Sequence, residues 1–221
     1  MPVDPQTRLL TQAARRALQP MGLVQKGRSR TWLDDHDAWL IVVEFQPTSS
    51  GKGSYLNVGI CWLWDVEPKD HLSFDLGHRV QGAPGQGLEL YESEQQWTPI
   101  AEALAQRAAR EVRAYRSRVP DLRGAAAVLA EQRADGTAGW PLWHGAIASG
   151  LVGDVTTARQ VFAQIAASND DRDWWLAVKE RARVLGPLLE TDPDAFRAEI
   201  GRSVDANRRA LRLPSAELGW A

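Results

Sequence analysis

The chain has 221 residues, 44% of them hydrophobic and 24% charged, and a formal net charge of −2. This supports a packed core without disulfide staples and argues against a global electrostatic pull toward nucleic acid or anionic membrane. The single cysteine, Cys61, excludes an internal disulfide and a cysteine-rich metal site. A lone thiol, an N-terminus without an apolar signal core and apolar runs too short to span a bilayer make the cytoplasm the expected location. Arginine far outnumbers lysine, which reads as a compositional bias rather than a functional one. The 10 tryptophans are not explained that way.

Residues 6–19 carry Leu9, Leu10, Ala13, Ala14, Ala17 and Leu18 at helical spacing, and Pro20 and Gly22 end that helix. Two β-rich runs follow, GRSRTWL and AWLIVVEFQ, separated by the turn-like Asp34–Asp37, which predicts a hairpin. In the second run Trp39, Ile41, Val43 and Phe45 share one face, and Leu40, Val42, Glu44 and Gln46 the other. After the breakers at 47–53, residues 54–64 predict a third strand. Leu56, Val58, Ile60, Trp62 and Trp64 lie on one face, and Tyr55, Asn57, Gly59 and Cys61 on the other. Residues 71–80 predict a fourth strand, and the glycine-rich 81–87 a flexible connection.

Beyond residue 95 the hydrophobic period becomes 3.6 and stays so. A long helix is expected from Thr98–Pro99 to about Val119, with the proline at its first position. A second runs from Pro120–Asp121 to about Ala134, before Gly136 and Gly139. Residues 140–151 make a third helix and 153–168 a fourth, with Asp154 as N-cap. Residues 170–190 make a fifth, striped by Trp174, Val178, Ala182, Leu185 and Leu189. Asp192–Pro193 opens a sixth, with Phe196, Ile200, Val204 and Leu211 on one side. The expected architecture is α+β. An N-terminal helix, a four-stranded antiparallel sheet and a long covering helix occupy 1–118, and an all-α region occupies 121–221, about six helices following the sheet.

The order helix, GLVQKGR, aspartate turn, strand ending Phe45–Gln46 and strand containing Asn57-x-Gly59 resembles domain-of-unknown-function family 4304, a family of uncharacterised bacterial proteins. Gly22, Lys26, Gly27, Arg28, Gln46, Asn57 and Gly59 carry the likeness over roughly residues 6–118. Leu23 stands where that family more usually has an aromatic residue, and Gln25 where it has a basic one. The resemblance implies a helix packed on a sheet and brings no activity, cofactor or catalytic residue.

Two groups of residues carry the functional reading. Arg28, Arg30, Glu44, Gln46, Asn57, Ser73, Asp75 and Arg79 are expected on the polar face of the sheet, where arginine and amide groups suit a carboxylate or a peptide terminus. Sheets of this kind also simply face water on one side. Trp140, Trp143, Trp174 and Trp175 form the second group, flanking a segment that resembles a tetratricopeptide-type helical hairpin. Adjacent tryptophans on a helix point about 100° apart, so one of Trp174 and Trp175 is expected at a rim, groove or interface. Tryptophan is enriched where partners bind.

The remaining candidates are weaker. His36, His71, His78 and His144 show no metal-ligand spacing, Cys61 lies in the packed context ICWLW, and the glycines at 51–53 and 81–87 lack the rest of a phosphate loop. Arg107, Arg110, Arg113 and Arg116, with Arg118 and Arg123 nearby, read as a solvated face rather than a track for nucleic acid. No catalytic residue, metal ligand or cofactor is expected. The preferred reading is a binding protein that recognises a protein or peptide. The alternative is a small hydrolase using Glu44 as general base and Arg28 or Arg79 as anion clamp.

Overall fold

The computed structural model describes residues 4–49, 52–82, 87–134 and 139–220. Helix α1 spans Pro5–Leu18. The Asp4 carboxylate accepts from the Thr7 amide, and Pro5 sits where its missing N–H costs nothing. A 3-10 turn at Gln19–Met21 follows, stopped by Gly22 at φ 91°, a backbone geometry that glycine adopts without strain.

An antiparallel sheet comes next, built from β1 (Val24–Gln25), β2 (Thr31–Asp35), β3 (Trp39–Pro47), β4 (Gly53–Trp62), β5 (Leu76–Arg79) and β6 (Leu88–Leu90). The order is β1-β2-β3-β4, with β5 and β6 both paired to β4. Among the described residues six strands stand where four were expected, because β1 and β6 are two and three residues long and too short to show an alternation. The expected fourth strand shrinks from 71–80 to Leu76–Arg79. Before it, the Ser73 hydroxyl donates to Asp75, and the Asp75 amide donates to the Ile60 carbonyl at 2.8 Å. Gly59 faces Gly77 across β4 and β5, and a Cβ on Gly59 would sit 2.7 Å from the Gly77 Cα, so a side chain there would push the strands apart.

Six helices follow the sheet among the described residues: α2 (Glu94–Arg118), α3 (Leu122–Ala134), α4 (Trp140–Leu151), α5 (Val155–Ala166), α6 (Asp173–Thr191) and α7 (Pro193–Leu211). Helix α2 begins a turn earlier than Thr98–Pro99. The Ser93 hydroxyl caps the Gln96 amide at 3.2 Å, and Pro99 falls inside the helix. The side chains of Asp154 and Asp192 cap α5 and α7. No helix among the described residues is long and apolar enough to cross a membrane.

The chain divides into two compact units. One comprises 1–36, 40–61 and 73–116, and the other 37–39, 62–72 and 117–221. The short segments 37–39 and 62–72 therefore cluster with the helices, although they were expected with the sheet.

In the sheet unit, Phe45, Leu56, Val58, Ile60, Leu104 and Val112 are buried, and the Trp97 indole donates to the Gln6 carbonyl at 3.1 Å. Asp34 and Asp35 belong to β2, and the turn lies at 36–38, with Asp37 at φ 61°. Arg116, expected on a solvated face, grips Asp34 through two nitrogens at 2.7 and 2.8 Å and the Met21 carbonyl at 2.7 Å. One guanidinium thus ties α2, β2 and the 3-10 turn together.

In the helical unit, Trp143, Phe162 and Phe196 meet edge to face. Arg208 is 2% exposed and donates to the carbonyls of Asp37 and Pro214, each at 2.7 Å. The Lys69 amide donates to Asn207 at 2.7 Å. These bonds hold the segments 37–39 and 62–72 against α7.

Burial raises the Asp34 carboxyl, but hydrogen bonds from Arg116 and His36 outweigh it and leave Asp34 below the usual carboxylate range. A carboxyl depressed in the folded state stabilises the fold above its unfolded value, near pH ~4, and loses that contribution as pH falls through its folded value. The Asp34 side chain is 8% exposed and that of Arg116 35%, between the surface and buried limits for an ion pair. Asp34→Asn is expected to cost about 1–3 kcal/mol at pH 7 in urea unfolding. The gap to the parent should narrow as pH falls below the usual carboxylate range, where the depressed Asp34 carboxyl finally takes up its proton. A gap that stays constant with pH would assign the acid sensitivity elsewhere.

Candidate functional site

Of the expected polar face, the sheet brings four residues together. β3 and β4 alternate so that Glu44, Gln46 and Asn57 project from one side, and the pairing of Asn57 with Arg79 adds the arginine. The Asn57 amide donates to Glu44 at 2.9 Å and to Gln46 at 3.0 Å. Arg79 donates to Gln46 at 3.0 Å, and its guanidinium lies 3.8 Å from the Tyr55 ring centroid. These groups largely satisfy one another, and the Glu44 carboxylate within the network would repel an incoming anion.

The other four expected members, Arg28, Arg30, Ser73 and Asp75, lie elsewhere. Arg28 is exposed in the turn between β1 and β2. Arg30 sits in register with Phe45, on the opposite face, where it donates to the Thr7 hydroxyl and lies 3.9 Å from Asp4. Burial lowers its guanidinium from the usual value. Asp75 precedes β5 and accepts from Ser73, whose oxygen lies 3.3 Å from the Cys61 sulfur. That thiol is fully buried. Of the two arginines expected as anion clamp beside Glu44, Arg79 shares its hydrogen-bond network through Asn57, and Arg28 lies in the turn.

The arginine row is also divided. Arg107 pairs with Glu89 at 2.6 Å, Arg116 with Asp34 and Arg118 with Glu131 at 2.7 Å, while Arg110 and Arg123 stay exposed. His36 contacts Asp34, His71 contacts Asp70, and His78 lies 3.6 Å from Glu111. No group of three or more His, Cys, Asp or Glu side chains able to hold a metal ion occurs among the described residues. Residues 83–86 of the glycine-rich stretch, together with Gly51 and Gly136, lie outside the described residues.

The helical unit gathers its aromatic rings into a column. Trp62 stacks on Trp64 with centroids 4.9 Å apart, and the Trp64 indole donates to His144 Nδ1 at 3.2 Å. His144 stacks on Trp140 at 6.0 Å, and Trp140 on Trp174 at 5.2 Å. His144 is 1% exposed and Trp174 39%, so the column runs from the interior to the surface. Trp143 and Trp175 are 1% and 2% exposed and belong to the core, which leaves Trp140 and Trp174 as the accessible pair. The buried stripe of α6 starts at Trp175, not Trp174, and the Trp175 indole donates to the Ser168 hydroxyl at 2.8 Å.

Two clefts adjoin this pair. One, of about 420 Å³, is lined by Asp65, Val66, Glu67, Trp140, Asp173, Trp174 and Ala177. The other, of about 430 Å³, has Trp140, Trp174 and Trp175 with Ser168, Asp170 and Arg172 among its walls. The Arg172 guanidinium lies 4.5 Å from the Trp174 ring centroid, and its Nε donates to Asp170 at 2.9 Å. That hydrogen bonding holds the Asp170 carboxyl below the usual range. The acidic residues beside the tryptophans escaped the sequence reading, although DVEPKD and DDRDWW display them.

No protein-family model, no curated protein and no solved structure matches the chain.

The two adjacent tryptophans should separate sharply in mutagenesis. Trp175→Ala empties a core site and is expected to cost about 3–5 kcal/mol in denaturant unfolding. Trp174→Ala should cost about 1 kcal/mol, the worth of a surface aromatic contact. Equal costs would contradict the assignment of one ring to the core and the other to the surface.

Proposed function

We propose that this chain is a binding protein that recognises a protein or peptide partner through the Trp140–Trp174 surface of its helical unit. The observation that carries the reading is the exposure of Trp174, at 39%, on a rigid aromatic stack flanked by two clefts. A large ring held in place by its neighbours loses little entropy on binding, which is why tryptophan anchors interfaces. The polar face of the sheet supports a hydrolase less well, because its groups are engaged with one another. The likeness of residues 6–118 to family 4304 supplies no activity, and the reading does not rest on it.

The test is capture from native lysate on the immobilised full chain, with Trp174→Ala as the comparison and Arg79→Ala as a control on the sheet face. A stoichiometric protein retained by the parent and by Arg79→Ala, and lost with Trp174→Ala, is the expected result. Retention that ignores Trp174 but depends on Arg79 would move the function to the sheet.

A further inference from the structure

The two clefts beside the tryptophan pair differ in what already fills them. On one side the chain supplies its own cation, since Arg172 lies over the Trp174 ring and is held by Asp170. On the other side every charged lining residue is acidic: Asp65, Glu67 and Asp173. Asp65 pairs with Lys69 at 3.0 Å. Glu67 and Asp173 are exposed and enter no ion pair or side-chain hydrogen bond among the described residues. The combination of tryptophan ring and carboxylate is thus occupied by a guanidinium in one cleft and open in its neighbour.

Resting on the reading of Trp140 and Trp174 as the partner surface, we infer that the cleft between Glu67 and Asp173 takes an arginine side chain presented by a peptide segment of the partner. The fit follows from the amphipathic character of arginine. Its methylene stem lies against the indole wall while the guanidinium reaches the carboxylates at the rim. The faces of the two indoles are engaged by His144, by each other and by Arg172, so the indoles give the stem an apolar wall and the carboxylates hold the cation through charge-assisted hydrogen bonds. A space of about 420 Å³ admits one or two side chains of an extended segment rather than a folded domain. An acidic segment would meet like charge and is excluded.

The experiment is a titration of the full chain with an acetylated, amidated octapeptide of alternating glycine and arginine, followed by tryptophan emission. The matched peptide carries citrulline, which keeps the shape of arginine and removes its charge. A saturable change is expected with the arginine peptide. Binding should be about tenfold weaker with the citrulline peptide and with Glu67→Gln/Asp173→Asn, and should weaken further as salt is raised. Both substituted residues are exposed, and an unchanged melting curve checks that the variant stays folded. Equal affinity for the two peptides, no saturable binding, or indifference to the double substitution overturns the inference. A lysate partner lost with Trp174→Ala but retained by Glu67→Gln/Asp173→Asn likewise overturns the arginine inference while leaving the partner surface intact. A lysate partner indifferent to Trp174→Ala removes the surface itself.

Discussion

The helical unit is organised around the bond from the Trp64 indole to Nδ1 of His144. Because that nitrogen accepts, the ring's proton is placed on Nε2, and the imidazole is held in one orientation. An oriented ring can stack, and on this one Trp140 stacks, with Trp174 beyond it. Trp62 approaches the same imidazole at 6.4 Å. The segment 62–72 joins the helices for this reason: its first residues bring two of the rings that the column needs. Lys69 secures its far end through the bond to Asn207 and the ion pair with Asp65.

The sheet unit satisfies its polar groups differently. Glu44, Gln46, Asn57 and Arg79 spend much of their hydrogen-bonding capacity on one another, and Asp34 spends its own on Arg116 and His36. A group already matched by its neighbours gains little from a ligand, since binding would have to replace a bond of similar strength. Glu67 and Asp173 stand in the opposite situation. Their charges line a cleft walled by tryptophan, where no cation among the described residues pairs with them. This contrast, more than the number of polar residues, separates a solvated face from a surface able to take a partner.

The amino-acid sequence determined the elements whose signals are local. Proline and glycine ended α1, alternation placed Phe45 and Asn57 on opposite faces of the sheet, and the caps Asp154 and Asp192 started α5 and α7. Such features depend on backbone geometry within a few residues, so the α+β order was legible. The spacing of Ser93 and Gln96 encodes the start of α2 as well, and Pro99 offers a second, competing start because proline is favoured at the first helical position. Only the tertiary structure decided which of Trp174 and Trp175 turns outward. Both fit a stripe with Val178, being four and three residues before it, and neighbouring packing selects between them. It also decided that Arg30 leaves the polar face and that Arg116 holds Asp34 across 82 residues of chain. The meeting of Asp65 and Glu67 with Asp173 and Trp174 has the same origin. Contacts between residues that far apart are set by the summed packing of many side chains, which no local pattern encodes.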